Sequence, residues 1–412
     1  MLPAVAPGTS PAVSLPSPTA DELDHAVDLR HQLHRIPELA YEEHETAACI
    51  RRELDRLGIA YTAGVPDAPT ATVAVLGDPS RPCIALRADI DALPITEMTG
   101  LPYASTYAGR MHACGHDGHT ANLLLTAAVL RRWVERLPVC VKLIFQPAEE
   151  GGGGADRLVK AGVLDGRLGP KVQAIYGLHG WPSLPAGSIA SRPGPLLAAT
   201  DTLRVTLRGR GCHGAAPHLG VDPIVAAAEL VLNLQMQVSR ETDPVDAVVV
   251  TVGLLHAGTA TNIIPETAEL AATVRTLSPE TRQATRIALQ RRCKGVAAAH
   301  GCVAEVEYEQ GYPVTCNDAG CFDRVRQAAE AARLPFHVAP SPVMGGEDFA
   351  YYLQAVPGAF FFVGVRPAGQ SEYPSLHNER YDFTDAALPA CTAMFLQLVG
   401  DFAARQPAVA AP

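Results

Sequence analysis

The stretch CIALRADID, residues 83–91, sets the pattern that decides the fold: a short apolar run ends at once in polar residues. Three later apolar runs end in the same way, in QPAEEGGGG at 146–154, HGWP at 179–182 and GVRPAG at 364–369. Helix-periodic segments lie between the runs, so the alternation predicts a mixed α/β sheet with helices on both faces. Functional loops of such a sheet lie beyond the carboxyl ends of its strands. We therefore expect these polar clusters to converge.

The pattern changes over residues 198–308. Strand and helix signals there follow the order βαββαβ, which is typical of a ferredoxin-like two-layer unit. We predict a larger catalytic domain of residues 21–197 and 309–404, interrupted by this smaller inserted domain. Residues 1–20 are rich in proline and contain no Lys or Arg, so we expect a flexible tail.

Composition excludes several classes of protein. Among 412 residues, 33 Lys and Arg stand against 43 Asp and Glu, a net charge of −10 that speaks against nucleic acid as a partner. No apolar run approaches the roughly 18 residues needed to span a bilayer, so no membrane is expected. The ten cysteines lack the spacing of a disulfide framework, which favours reduced thiols and a cytoplasmic location.

The segment MHACGHDGHT, residues 111–120, has the highest density of metal-binding residue types. Cys114 and His116 are two positions apart, so a turn or an extended segment can direct both at one ion. The alternative is that Cys114 is an ordinary buried thiol, but the neighbouring His112 and His119 favour a metal site. A CxxC redox pair is absent because Asp117 occupies the position that would complete it.

Two adjacent carboxylates, Glu149 and Glu150, directly follow a predicted strand. Such a pair is unfavourable unless a cation compensates it or the two share a proton. With a metal present, one glutamate can bind the ion while the other takes a proton from the attacking water. The alternative is a solvated acidic turn. The preceding strand and the four following glycines favour the metal site instead. The glycines suit close backbone approach rather than phosphate binding, because no Lys-Ser/Thr follows them.

Two further histidines are candidate metal ligands when taken together with these residues. His179 ends a predicted strand, and His377 lies near the C-terminus. Thiolate, carboxylate and imidazole donors from four chain segments suit Zn²⁺, Co²⁺, Ni²⁺ or Mn²⁺. Five such donors exceed the usual protein ligands of one catalytic zinc ion and fit two divalent ions.

Several segments together resemble the M20 family of metallopeptidases, in particular its amidohydrolase branch of hippurate hydrolases and indole-acetyl amino-acid conjugate hydrolases. They are HRIPELAYEE, RADIDALP, MHACGHDGHT, FQPAEEGGGGA, GLHGWP, GCHGAAPH, NIIPE and SLHNERYDF. The resemblance runs from about residue 23 to 400 and implies a binuclear site with Glu149 as general base and an inserted lid that serves dimerisation. The implied metal ligands are Cys114, His116, Glu150, His179 and His377.

The resemblance also assigns roles in the inserted domain. It implies that His213 and Asn262 stabilise the oxyanion, with His213 reaching in from a partner subunit as one option, and that Arg275 binds the substrate carboxylate. Relatives outside this branch carry a metal-binding His-x-Asp where this chain has Asp89 and Asp91. Asp91 would then orient a ligand.

The expected function is a binuclear metal-dependent amidohydrolase that cleaves N-acyl or N-aroyl amino acids into a carboxylic acid and a free amino acid. A metal-dependent dipeptidase or carboxypeptidase is the alternative with the same chemistry. A non-catalytic metal or ligand carrier is the alternative of another class, but it has no use for Glu149 beside Glu150. The expected assembly is a homodimer or higher homo-oligomer through the inserted domain.

Overall fold

The structure is a computed structural model that describes residues 15–406. It consists of two compact units. Unit 1 comprises the described part of residues 1–194, 316–340 and 351–412, and unit 2 comprises residues 195–315 and 341–350. The predicted insert lies within unit 2, which also contains the separate segment 341–350.

The described residues form sixteen strands and nine α-helices. The strands are β1 Tyr61–Val65, β2 Ala68–Leu76, β3 Cys83–Asp89, β4 Cys140–Gln146, β5 Val172–Pro185, β6 Ile189–Ser191, β7 Gly194–Leu197, β8 Ala199–Arg208, β9 Cys212–His213, β10 Val248–Ala257, β11 Ile263–Ile264, β12 Thr267–Thr276, β13 Val303–Gln310, β14 Thr315–Asn317, β15 Phe336–Val338 and β16 Gly358–Arg366. The α-helices are α1 Ala20–His34, α2 His44–Leu57, α3 His116–Arg131, α4 Gly154–Ala161, α5 Pro223–Met236, α6 Pro279–Ala299, α7 Ala319–Ala331, α8 Ala350–Ala355 and α9 Leu388–Ala404.

Unit 1 is built on an eight-stranded mixed sheet with the order β1-β2-β4-β3-β5-β16-β6-β15. Its central strand β3 is parallel to both neighbours, β4 and β5, and β5 is parallel to β16. Asp89 at the end of β3 is in register with Gln146 at the end of β4. The RADID and QPAEE loops therefore leave the same edge of the sheet, as the sequence predicts.

Helix α3 lies in the core of unit 1 and packs against α1, α9 and the sheet. Nearly all its residues are buried, which is why it has no polar face. The segment Asp385–Ala404, which includes α9, is long and apolar enough to cross a membrane by composition, but 72% of its apolar window is buried. Packing of Phe395 and Val399 into the core accounts for its apolar character.

The start of α1 corrects the expected extent of the tail. Thr19 caps the helix through the Glu22 N–H, and the Glu22 carboxylate accepts the Thr19 N–H in return. Leu15 packs against the core of unit 1. Residues 15–20 are thus tied to unit 1, whereas 1–14 lie outside the described residues.

Unit 2 contains a four-stranded antiparallel sheet with the order β10-β12-β8-β13. Along β8, buried residues alternate with less buried ones, as in a sheet with one face covered. Leu203 on β8, Leu230 on α5 and Leu289 on α6 belong to one core. The predicted βαββαβ order and two-layer architecture are confirmed.

Candidate metal centre

The first two donors flank a glycine at the start of α3. Cys114 and His116 are both buried, and Gly115 between them has a φ of 88°, in the left-handed region. A Cβ at this position would lie 2.8 Å from the hydroxyl oxygen of Tyr381. Glycine is therefore required for the turn that brings the two donors together.

Cys114 meets a histidine of the central sheet. Its Sγ lies 3.3 Å from Nε2 of His179. Nδ1 of His179 lies 2.8 Å from the Gly180 carbonyl oxygen, so Nδ1 carries the proton and Nε2 presents its lone pair. Burial lowers the pKa of His179 to about 3, which keeps the ring in the neutral form that binds metals.

His179 does not end its strand as the sequence predicts. β5 continues to Pro185 because β16 pairs with it that far, with Arg366 opposite Pro185. His179 is thus held opposite Phe362 of β16, with paired residues before and after it along the strand, which gives its ring a rigid support.

His116 has one nitrogen occupied and one without a partner. Nδ1 lies 2.9 Å from the Asp91 carbonyl oxygen and 3.2 Å from Asp91 Oδ1, so it donates to Asp91. Nε2 is buried, lies 3.6 Å from Asp89 Oδ2, and has no hydrogen-bond partner among the described residues. A buried polar atom left in this way fits a metal ligand.

Glu150 and His377 complete the set of donors. Glu150 Oε1 lies 3.2 Å from Nε2 of His377. The backbone N–H of Glu150 donates to Asp91 Oδ2 at 2.9 Å, and the N–H of His377 donates to the Ala113 carbonyl at 2.9 Å. Asp91 therefore contacts both His116 and Glu150, as a carboxylate that orients two ligands would.

Three overlapping groups combine these donors with one another or with Glu149, and in each group the ligand atoms lie within 4.8 Å of one another. The groups are Cys114 with His116 and His179, Cys114 with Glu150 and His377, and His116 with Glu149 and Glu150. Two triads that share a thiol fit a pair of divalent ions better than one ion.

Electrostatics favour the same conclusion. Burial and the charges of Glu150 and Glu149 raise the pKa of Cys114 well above its ordinary value. A thiolate next to two carboxylates therefore needs positive charge nearby. Divalent ions held by these donors would supply that charge, and the buried Glu149 lies next to Glu150 in the same loop.

The other two histidines of MHACGHDGHT have different environments. His119 Nδ1 lies 2.6 Å from Asp89 Oδ1, and its Nε2 accepts the Gly180 N–H at 2.8 Å, so both nitrogens are engaged. His112 is buried with neither nitrogen hydrogen-bonded, and burial lowers its pKa to about 3. Within residues 15–406 it belongs to none of the donor groups.

A buried ionic network beside α3 was not predicted from the sequence. Asp117 accepts from Arg30 at 3.1 Å and from His34 at 2.9 Å. Arg30 also binds Asp382 and Asp385. The sequence does contain one indication of this network. Arg30 and His34 lie on the apolar face of α1, where charged residues need partners.

Within unit 2, His213 and Asn262 are neighbours. β9 and β11 are antiparallel, and the Gly214 N–H donates to the Asn262 carbonyl at 2.8 Å. Both side chains are exposed. His213 Nδ1 accepts the Ala215 N–H at 3.0 Å, so the neutral ring carries its proton on Nε2 and can donate from there.

Arg275 lies at the opposite end of β12 from that pair. It is half-buried and is in register with Thr200, whereas Thr267 at the start of β12 follows closely after β11. At about 3.3 Å per residue, the strand separates Thr267 from Arg275 by roughly 26 Å. Within unit 2, His213 and Asn262 thus lie together at the neighbouring strands β9 and β11, and Arg275 lies at the far end of β12 from Thr267.

Comparisons with known proteins find relatives that match most of this chain. An N-acetyl-L-cysteine deacetylase of Bacillus subtilis (strain 168) is 42% identical over 344 residues, which cover 82% of this chain and 80% of that protein. The IAA-amino acid hydrolase ILR1-like 4 of Arabidopsis thaliana is 38% identical over 374 residues, which cover 90% of this chain and 83% of that protein.

A solved structure is also similar to this chain. The Bacillus subtilis YXEP protein, described as a dinuclear metal binding peptidase of the M20 family, superimposes with a TM-score of 0.81 at 35% identity. The match covers 94% of this chain and 99% of that one. The model of peptidase family M20/M25/M40 matches residues 85–401. By sequence, fold and donor set, the chain belongs to peptidase family M20/M25/M40 and is a hydrolase.

Proposed function

We propose that the chain hydrolyses the amide bond of N-acyl or N-aroyl amino acids, with Glu149 as the proton-transfer group. One observation carries the proposal: the buried Glu149 lies next to Glu150, with a carboxylate oxygen within 4.8 Å of donor atoms of His116 and Glu150. The names of relatives, a deacetylase of N-acetyl-L-cysteine and a hydrolase of IAA-amino acids, support amide bonds to amino acids.

Cys114, His116, Glu150, His179 and His377 would hold two divalent ions, for which zinc, manganese, cobalt and nickel all suit the donors. When bound, such ions polarise the amide carbonyl and make water more acidic. Glu149 accepts the proton of the attacking water and passes it to the leaving amine. The Asp91 carboxylate accepts a hydrogen bond from Nδ1 of His116. This contact orients the His116 ring so that Nε2 points away from Asp91.

Unit 2 would supply the donors for the substrate. His213 Nε2 and the Asn262 amide can donate to the negative charge that develops on the carbonyl oxygen. Arg275 can bind the substrate carboxylate with two parallel hydrogen bonds. Arg275 lies roughly 26 Å from the other end of β12, the end that follows closely after β11, and this placement supports a site to which two copies of the chain contribute. We therefore assign His213 and Asn262 to the site of the partner subunit.

Two exposed surfaces of unit 2 suit such a dimer. β10 is an edge strand of the sheet, and its outer residues Leu254 and Leu255 are 52% and 48% exposed. On α5, Leu232 is 72% exposed and Met236 is 43% exposed. An open strand edge and an apolar helix face are the features that a second copy would cover.

The decisive experiment is an assay of the purified chain with Mn²⁺, Co²⁺ or Zn²⁺. Its substrates are benzoylglycine, several N-acetyl amino acids and unblocked dipeptides. We expect release of carboxylic acid and free amino acid from the blocked compounds, and loss of this activity with a chelator. Preference for unblocked dipeptides would favour the dipeptidase alternative, and metal binding without turnover of any compound would favour a carrier.

A cytoplasmic location, expected from the cysteines, stays a prediction.

A further inference from the structure

The connector between α1 and α2, residues 35–43, contacts the loop that carries both catalytic-site glutamates. We call that loop, residues 147–153 between β4 and α4, the base loop. The connector contains the whole PELAYEE segment, residues 37–43, to which the proposed reaction gives no role. Its contacts with the base loop lie wholly within unit 1.

Glu43 makes the inner contact. Its Oε1 accepts the backbone N–H of Ala148 at 2.9 Å, and its Oε2 accepts the Thr70 hydroxyl at 2.7 Å. Glu43 and Ala148 are both completely buried. Ala148 directly precedes Glu149 and has a φ of 57°, a left-handed conformation that is unfavourable for alanine unless its surroundings impose it.

Tyr41 makes the outer contact. Its hydroxyl donates to the Gly152 carbonyl at 2.6 Å, and the Arg157 guanidinium of α4 lies 3.9 Å from the centre of its ring. A Cβ on Gly152 would lie 2.6 Å from the Ala148 Cβ and 3.0 Å from the Tyr41 ring. Glycine at position 152 thus lets the base loop pack closely against both Ala148 and the Tyr41 ring.

The same connector also fixes the loop that carries Asp91. The Ala92 N–H donates to the Glu38 carbonyl at 2.8 Å. Asp91 in turn accepts the Glu150 N–H. The connector therefore sets the register of two loops relative to each other, and both contribute to the metal centre.

We propose that Glu43 and Tyr41 are positioning residues that lock the backbone at Ala148 and Gly152, and so aim the carboxylate of Glu149 at the reacting atoms. This proposal rests on the proposed function as far as Glu149 is concerned. Neither residue touches substrate. Their effect is to hold the general base in one orientation, and small displacements of such a group reduce turnover strongly.

The test compares Glu43→Ala with Glu43→Gln. Burial raises the pKa of Glu43 to about 7, so a neutral glutamine of the same size is a mild replacement whose amide oxygen can still accept the Ala148 N–H. We expect Glu43→Ala to lower kcat by about tenfold or more with KM nearly unchanged, and Glu43→Gln to recover most of the loss. The control is Glu42→Ala in the same connector, where the exposed Glu42 pairs with Arg110. This variant should match wild type.

Hydrogen exchange of the base loop gives a readout that does not depend on activity. Peptides covering residues 146–153 should exchange faster in Glu43→Ala than in wild type or Glu42→Ala, with metal content unchanged. If wild type hydrolyses no amide at all, the proposed function fails while this measurement still tests the contact. Wild-type kcat or wild-type exchange in Glu43→Ala would overturn the inference.

A second variant keeps the test open should Glu43→Ala fail to fold. Tyr41→Phe removes only the hydroxyl that donates to Gly152 and keeps the ring beneath Arg157. We expect a decrease in kcat of about threefold to tenfold and faster exchange near Gly152. Wild-type values for both would exclude Tyr41 from the positioning role.

Discussion

The metal centre of unit 1 and the polar pair of unit 2 differ in how their side chains are held. Nδ1 of His116 and Nδ1 of His179 are fixed by Asp91 and Gly180, and both rings are buried. His213, by contrast, is exposed and held by one local hydrogen bond from Ala215. The first site is preorganised by the folding of one chain. We expect the second to be completed by a substrate or another subunit.

This difference makes separate predictions for the two regions. Changes in unit 1 should affect metal content or proton transfer within each chain. Changes at His213 should leave the metals in place and depend on the partner chain.

The largest effect is expected at Glu149. Glu149→Gln keeps the shape of the side chain but removes the base, so kcat should fall by about 10² to 10⁴-fold. The metal content of the purified variant, measured by elemental analysis, should equal that of wild type. Near-normal turnover would remove Glu149 from the mechanism, and loss of metal would make it a ligand instead.

A somewhat smaller loss is expected for His213→Ala, and mixing this variant with Glu149→Gln tests where His213 acts. If His213 serves the partner's site, a mixed dimer has one site with both an intact Glu149 and an intact partner His213. Random assembly of the two inactive variants should then restore about a quarter of wild-type activity. No recovery, with mixed dimers verified by two affinity tags, would place His213 in its own chain's site.

The smallest effect concerns stability in the buried region. Burial lowers the pKa of His34, but Asp117 and Glu97 outweigh it and raise the pKa to about 9. Since the folded pKa exceeds the ordinary 6.5, protonated His34 stabilises the fold below pH 6.5, and this contribution is lost as pH rises through about 9. The Tm of His34→Gln with chelator present should lie well below that of wild type at pH 6 and approach it at pH 9.5.

The matched control is His25→Gln on the same helix, where the side chain is 43% exposed and pairs with Glu53. It should show a small Tm difference at both values of pH. A Tm difference between His34→Gln and wild type that stays constant or widens as pH rises would contradict a stabilising role of protonated His34.

Local sequence patterns account for much of the fold and of the candidate site. Apolar runs followed by polar loops predict β3, β4 and β5, and the strand and helix order of residues 198–308 predicts the architecture of unit 2. Both depend on short-range periodicity and turn chemistry, which single sequences carry well.

Tertiary partners set the limit of that prediction. His116 and His119 stand three residues apart in one motif, yet His119 is engaged by Asp89 and Gly180, and only the fold shows this. The partners of Arg30 include Asp382 and Asp385, more than 350 positions away along the chain. The contact of Glu43 with Ala148 spans 105 positions and depends on the backbone conformation of the base loop.

The most direct test of the two-ion site is an anomalous difference map from a crystal of the manganese- or zinc-loaded protein, collected at the edge of the metal. We predict two peaks about 3.5 to 4 Å apart, one beside His179 and the other beside His377, with Cys114 between them. A single peak, or peaks away from these side chains, would contradict the binuclear site.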